Sequence, residues 1–135
     1  MPVSLEEIRA RFSADRFATE ALGAVIDEAE DGRAVCSVRL GPIHKNAVGG
    51  VMGGVSITLA DFAFAVAANA WGKPTVSLDS HIQYIAAPRG DTLSAEARRV
   101  REGRSACFYE VLVRDGEGNL AARVSITGFH PAPRN

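Results

Sequence analysis

Residues 46–71 read NAVGGVMGGVSITLADFAFAVAANAW. Two glycine pairs, Gly49-Gly50 and Gly53-Gly54, precede a run that holds a single charge, Asp61. From Val55 to Trp71 this run is apolar on every face of a helix and would span about 25 Å. It is too short for a membrane span, and an acid interrupts it near its middle. A helix apolar all round belongs in a core, wrapped by other elements.

The flanking stretches can do the wrapping. LGAVIDEAE (22–30) and RAVCSVRL (33–40) sit on either side of Asp31-Gly32, a strong hairpin signal. TVSLDSHIQYI (75–85) alternates, which places Val76, Leu78, Ile82 and Tyr84 on one face. Turn residues then separate TLSAEARRVR (92–101), ACFYEVLVRD (106–115) and NLAARVSITGF (119–129). The order is β-β-α-β-β-β-β, an α+β architecture with an antiparallel sheet curled around one helix. Before it, Ser4 and Glu7 form a capping-box pattern, so a short helix is expected at about 4–12. Residues 1–135 read as one domain with a loose tail at about 131–135. A single wrapped sheet leaves edges exposed, so at least a homodimer is expected.

Composition narrows the function. With 15 basic and 16 acidic residues the net charge is −1, which favours neither nucleic acid nor an anionic membrane. Basic stripes with interleaved aromatics are absent. Cys36 and Cys107 lie far apart in alternating stretches and read as small core residues of a reducing compartment. No metal-ligand spacing and no G-x-S-x-G elbow occurs. The N-terminus MPVSLEEIRARF lacks the order of a secretion signal, and the expected compartment is the cytoplasm.

Asp61 is the chemically notable residue. Burying a carboxylate costs several kcal/mol unless it is paired, and raises its pKa toward the range useful to a general base. The glycines bare the main chain where the helix begins, and free N–H groups there can stabilise an oxyanion. A dinucleotide fingerprint fits poorly: GGVMGG has the wrong spacing, and hairpins follow instead of parallel units.

The segment 46–61 resembles the signature of the hotdog-fold acyl-CoA thioesterases of the phenylacetate-pathway (PaaI-like) type. That signature runs Asn, two residues, Gly, two residues, His-Gly-Gly, then Leu-Ala-Asp. The similarity continues through VSLDSHIQYIAAPRGDTLSAEARRVREGRS and DGEGNLAARVSITGF. It implies a sheet wrapped round a long helix and hydrolysis of acyl-CoA thioesters without a further cofactor, coenzyme A being part of the substrate. It implies Asp61 as general base or nucleophile, the Gly53 N–H as oxyanion donor, and Asn46 as a group positioning the carbonyl or water. Ser77 matches a polar position near that water. The resemblance also implies sites shared between two chains of a homodimer, alone or paired into a dimer of dimers. One residue departs from the signature: Met52 stands where the family has His.

Met52 then reads either as the loss of an orienting group or as an apolar lining of an acyl pocket beside Gly54. His44, nearby in sequence, is a candidate to compensate. Phe62, Phe64 and Trp71 are candidates for the acyl pocket or for the core. Arg89, Arg98, Arg99, Arg101 and Arg104 are candidates for the phosphates of coenzyme A, or solvated strand ends. His81 reads as a sheet-surface residue. Two further functions stay open: an acyl-CoA-binding protein without turnover, and a hotdog dehydratase or hydratase, which expects a catalytic His absent from this segment.

Overall fold

The computed structural model describes residues 3–132. Helix α1 (Leu5–Phe12) starts at Ser4, whose hydroxyl accepts the Glu7 N–H at 3.1 Å and satisfies one of the orphaned donors of the first turn. A π-helical turn, Phe17–Leu22, follows and stops at Gly23, whose φ of 87° turns the chain toward the sheet. The sequence pattern did not announce this turn. Strands β1 (Val25–Glu30) and β2 (Arg33–Arg39) form the expected hairpin, with Glu30 opposite Arg33 and Asp31-Gly32 between them.

Helix α2 (Gly53–Asn69) is the centre of the fold. It begins two residues earlier than the apolar run, so Gly53 and Gly54 belong to its first turn. Asn69 ends it: its amide donates to Ala65 O at 3.0 Å and Thr75 O at 3.1 Å, and its oxygen accepts the Thr75 N–H at 2.7 Å. Strands β3 (Val76–Tyr84), β4 (Thr92–Glu102), β5 (Ala106–Asp115) and β6 (Leu120–Phe129) complete one antiparallel sheet in the order β1-β2-β4-β5-β6-β3. The expected α+β hotdog architecture is therefore the observed one.

Helix α2 touches all six strands and lies closest along β2 and β4. Small residues allow this: Ala34 and Cys36 on β2, Ala95 and Ala97 on β4, and Ala60, Ala63 and Ala67 on the helix are all fully buried. Leu59 and Leu93 are fully buried with them, each contributing roughly 1.5–3 kcal/mol by burial. Cys36 belongs to this layer, and burial followed by the nearby Asp27 charge pushes its thiol up to about 12. It is an inert core residue.

Strand β3 corrects the expected facing. Its register shifts between Ser77 and Asp79, where Leu78 is an extra residue. Below the shift, Ser80, Ile82 and Tyr84 stand opposite the buried Ile126, Val124 and Ala122. Val76 and Leu78, expected on that face, are 52% and 61% exposed. Among the described residues no helix is long and apolar enough to cross a membrane. The tail expected at 131–135 falls, from residue 133 on, outside the described residues.

Candidate active site

The loop before α2 is tied around Asn46. Its side-chain oxygen accepts the N–H groups of Val48 at 3.1 Å and Gly50 at 3.0 Å. Its own N–H donates to Gly50 O at 2.7 Å, and Gly49 N–H donates back to Asn46 O at 3.0 Å. Gly49 takes a φ of 91°, which a residue with a side chain rarely adopts. With its oxygen spent on the loop, Asn46 has only its NH₂ left to offer a ligand, as a donor.

The knot delivers the chain to the start of α2. Val55 N–H donates to Met52 O at 2.9 Å, whereas the N–H groups of Gly53 and Gly54 donate to no protein group among the described residues. These donors stand at the positive end of the helix dipole, where negative charge is stabilised. Tyr84 reaches them from β3. Its hydroxyl donates to Gly53 O at 2.8 Å, and a Cβ on Gly53 would lie 2.7 Å from that oxygen. A side chain at position 53 would therefore have to push the Tyr84 hydroxyl out of its place. Asn46, Gly50, Gly53, Tyr84, Ala86 and Pro88 line a cleft of about 560 Å³. Asn46 and Gly53 are therefore brought together. Tyr84 was missed because nothing in its sequence distance from Gly53 signals the contact.

A second, apolar groove of about 290 Å³ opens on the other side of the helix start, lined by Phe17, Leu22, Ile43, Met52, Gly54 and Thr58. Met52 is an apolar wall here. His44 cannot replace the missing imidazole at this point. It is buried, with Nδ1 accepting the Gly41 N–H at 2.9 Å and Nε2 2.7 Å from Leu22 O, so both nitrogens are spent on the fold.

Asp61 lies elsewhere on the chain's surface. It is eight residues beyond Gly53, about 12 Å of helical rise, in a third groove of about 300 Å³ with Phe17, Ile57, Thr58 and Ser80. The sequence predicted a buried carboxylate; in the single chain its side chain is exposed. The surrounding protein still strips part of its water, and that desolvation, then the negative charge of Asp15, holds its carboxyl above the ordinary carboxylate range. Gly54, Thr58, Asp61 and Ala65, three or four residues apart, form the one stripe of α2 that neither the sheet nor α1 fully covers.

Several expected site residues stand apart. Ser77 is exposed on β3 and lines none of these three grooves; it stands opposite Gly128, on the same sheet face as Ser80, and Ser80 is the one that borders Asp61. Phe62 is 1% exposed and packs edge-on to Phe12 at 6.3 Å, in the core and away from all three. Phe64 is likewise buried, against Tyr109. Arg89 precedes β4 whereas Arg101 and Arg104 lie at its other end, some eleven residues of strand or about 36 Å away. The arginines clustered in sequence are not one cluster in space. Arg98 pairs with Glu96 at 3.0 Å and Arg99 with Asp31 at 3.1 Å, leaving Arg89, Arg101 and Arg104 without a carboxylate partner among the described residues.

Residues 48–122 match the family model of the thioesterase superfamily. A putative esterase of Archaeoglobus fulgidus is 36% identical over 104 residues, 76% of this chain and 68% of its own. Human acyl-coenzyme A thioesterase 13 is 29% identical over 128 residues, 91% of either chain. A mutant of the phenylacetic acid degradation protein PaaI from Thermus thermophilus superposes with a TM-score of 0.78 at 32% identity, covering 84% of this chain and 97% of that one. The matched segment carries the glycine loop, all of α2 and strands β3, β4 and β5, and on that ground the chain belongs to the thioesterase superfamily.

Proposed function

We propose that the protein hydrolyses acyl-CoA thioesters with small, medium-chain or aromatic acyl groups, at sites shared by two copies of the chain. The observation that carries this is the pair of unpartnered N–H groups, Gly53 and Gly54, at the start of α2. Gly53 borders the cleft with Asn46, and its N–H polarises the thioester carbonyl and takes the charge of the tetrahedral oxyanion. The Asn46 amide donates to the carbonyl or to the attacking water. The apolar groove beside Met52 and Gly54 takes the acyl group.

Asp61 acts as general base or as nucleophile. As a base it removes a proton from water as the oxygen adds to the carbonyl carbon; the intermediate collapses, the C–S bond breaks, and the proton goes to the departing thiolate. As a nucleophile it forms an anhydride that water then opens, which burst kinetics reveal. Ser80 is placed to hold the water. Arg89, which follows the wall of the cleft directly, meets a phosphate of coenzyme A; Arg101 and Arg104 reach one only from a partner copy.

Within one chain Asp61 and Gly53 are too far apart to act on one carbonyl. The open stripe of α2 is self-complementary: free donors at one end, an acid about 12 Å along from Gly53. A copy related by a two-fold axis, its helix antiparallel, sets each Asp61 against the other copy's glycines. Phe17, Ile43, Val48, Met52, Val76 and Leu78 are all exposed apolar side chains, more than a lone soluble chain needs. Edge strand β3 adds unpaired main-chain groups to that surface.

Complementation tests both claims at once. Asp61→Asn and Asn46→Ala, each inactive alone, are mixed and allowed to exchange subunits. A shared site leaves one intact site in every mixed dimer, so thiol release returns to about a quarter of wild type. No recovery despite verified exchange refutes sharing, and full activity of either variant alone refutes the residue roles.

A further inference from the structure

A second polar cluster lies at the opposite end of α2 from the glycines. Glu102 ends β4 and pairs with Cys107 at the start of β5, and Cys107 pairs in turn with Gly128 of β6. His130 follows two residues later, its N–H bonded to Ser105 O at 2.8 Å. The sheet register thus sets a carboxylate, a thiol and an imidazole side by side. One ligand atom from each of Glu102, Cys107 and His130 lies within 4.8 Å of the others. No spacing rule could show this, because the three residues come from a turn and a separate strand.

The hydrogen bonds around His130 say what the cluster accepts. Thr75 donates its hydroxyl hydrogen to Lys73 O at 2.9 Å, so toward His130 Nδ1, also 2.9 Å away, it can only accept. Pro74 O, 3.4 Å from the same nitrogen, is an acceptor as well. Nδ1 therefore carries the hydrogen. Nε2 is then left facing Glu102 Oε1 at 2.7 Å, two acceptors that can share only a cation, a proton or a metal ion. Cys107 Sγ borders the same point, in room that exists because residue 128 is glycine: a Cβ there would stand 2.6 Å from the sulfur. The His130 side chain is 5% exposed and that of Glu102 46%, so the carboxylate side is the open one.

We infer that Glu102, Cys107 and His130 bind a divalent cation of the zinc class through carboxylate oxygen, Sγ and Nε2, with water in the fourth position on the Glu102 side. Mixed N, O and S donors suit zinc and cobalt over magnesium or calcium. Ligating histidines characteristically donate their other N–H to a carbonyl or similar acceptor, as His130 does to Thr75 and Pro74. Tetrahedral ligation needs donor separations of about 3.3–3.7 Å, so Glu102 Oε1, now 2.7 Å from Nε2, has to draw back to admit the ion, and its half-exposed side chain is free to do so. Arg99, 4.0 Å from Glu102, opposes a cation, but its guanidinium is drawn to Asp31 at 3.1 Å. Binding through Sγ releases the thiol proton to solvent. The ion would clip the end of β6 to the two strands that flank the β4–β5 turn, independently of the hydrolytic site.

The test uses the full chain stripped with a chelator and titrated with Co²⁺ alone, then with Zn²⁺. One Co²⁺ per chain, a thiolate-to-cobalt absorption band, its loss on adding Zn²⁺, and a Zn²⁺-dependent rise in Tm are expected. Cys107→Ser should abolish the band, and Glu102→Gln, on a half-exposed side chain that leaves folding intact, should weaken binding at least about 10-fold. Absence of stoichiometric binding overturns the inference. So does binding without the thiolate band, or binding that Glu102→Gln leaves unchanged.

Discussion

At the scale of single residues, the separation of Asp61 from the glycines makes its environment testable by itself. Asp61→Asn keeps the size of the side chain but cannot accept a proton, and turnover should fall roughly 100- to 10,000-fold in a folded protein. Because its carboxyl is held above the ordinary range, the ionised form is the one the fold disfavours. Asp61 therefore supports stability at low pH, and that support is lost as pH rises through its raised pKa; Asp61→Asn should melt no lower than wild type near neutrality. The acid limb of kcat should lie above that of an unperturbed carboxylate, and Asp15→Asn should move it to lower pH. An unmoved limb would leave Asp15 without influence on the base. Tyr84→Phe removes one hydrogen bond to Gly53 O, worth about 1 kcal/mol, and should lower kcat about five-fold with KM little changed. Met52→His separates two roles in steady-state kinetics: a gain in kcat assigns position 52 to polarisation, whereas a raised KM at constant kcat assigns it to the acyl wall. None of these contacts was legible in the sequence beyond residue type. Asp61 and Asn46 stood out because they are polar among apolar neighbours or glycines. The engagement of Asn46's oxygen, the tying of His44 to Leu22 and the Tyr84 contact arise only when distant segments meet.

At the scale of elements, order and number were legible because alternation, apolar runs and Gly-containing turns are local properties. Facing was legible only where alternation is unbroken. On β2, Ala34, Cys36 and Val38 are buried as period two demands, whereas one inserted residue, Leu78, turns the upper part of β3 over and puts Ser77, in place of Val76, on the face of Ser80 and Ile82. Strand length acts in a similar way on the arginines, since β4 holds Arg89 far from Arg101 and Arg104 although few residues separate them. The central helix illustrates a third limit. Its sequence is apolar nearly all round, yet one stripe stays open in the single chain, because hydropathy along a helix does not say how far the strands close over it. The end of this helix depends on Asn69 and its three bonds. Asn69→Ala should cost about 1–3 kcal/mol in chemical denaturation while leaving kcat unchanged, the glycines being at the other end of the helix. Loss of kcat at full stability would show the two ends to be coupled.

For the whole molecule, the exposed edge β3, the open stripe of α2 and the apolar side chains around them point to one surface, and light scattering at assay concentration should show no active monomer. The other edge has a different character. Strand β1 carries Asp27, Glu28 and Glu30, its register shifts between Ile26 and Glu28, and Arg9 from α1 occupies the carbonyl of Ile26 at 2.9 Å. Acids, an irregular pleat and a capped carbonyl all discourage a further strand. If two copies join through β3, the composite sheet ends at both sides in such a strand, so it cannot lengthen by the addition of a third. The molecule would thus hold its sticky edge and its blunt edge on opposite margins of one sheet, and joining would be self-limiting: a closed pair, where two sticky margins would have given a growing ribbon.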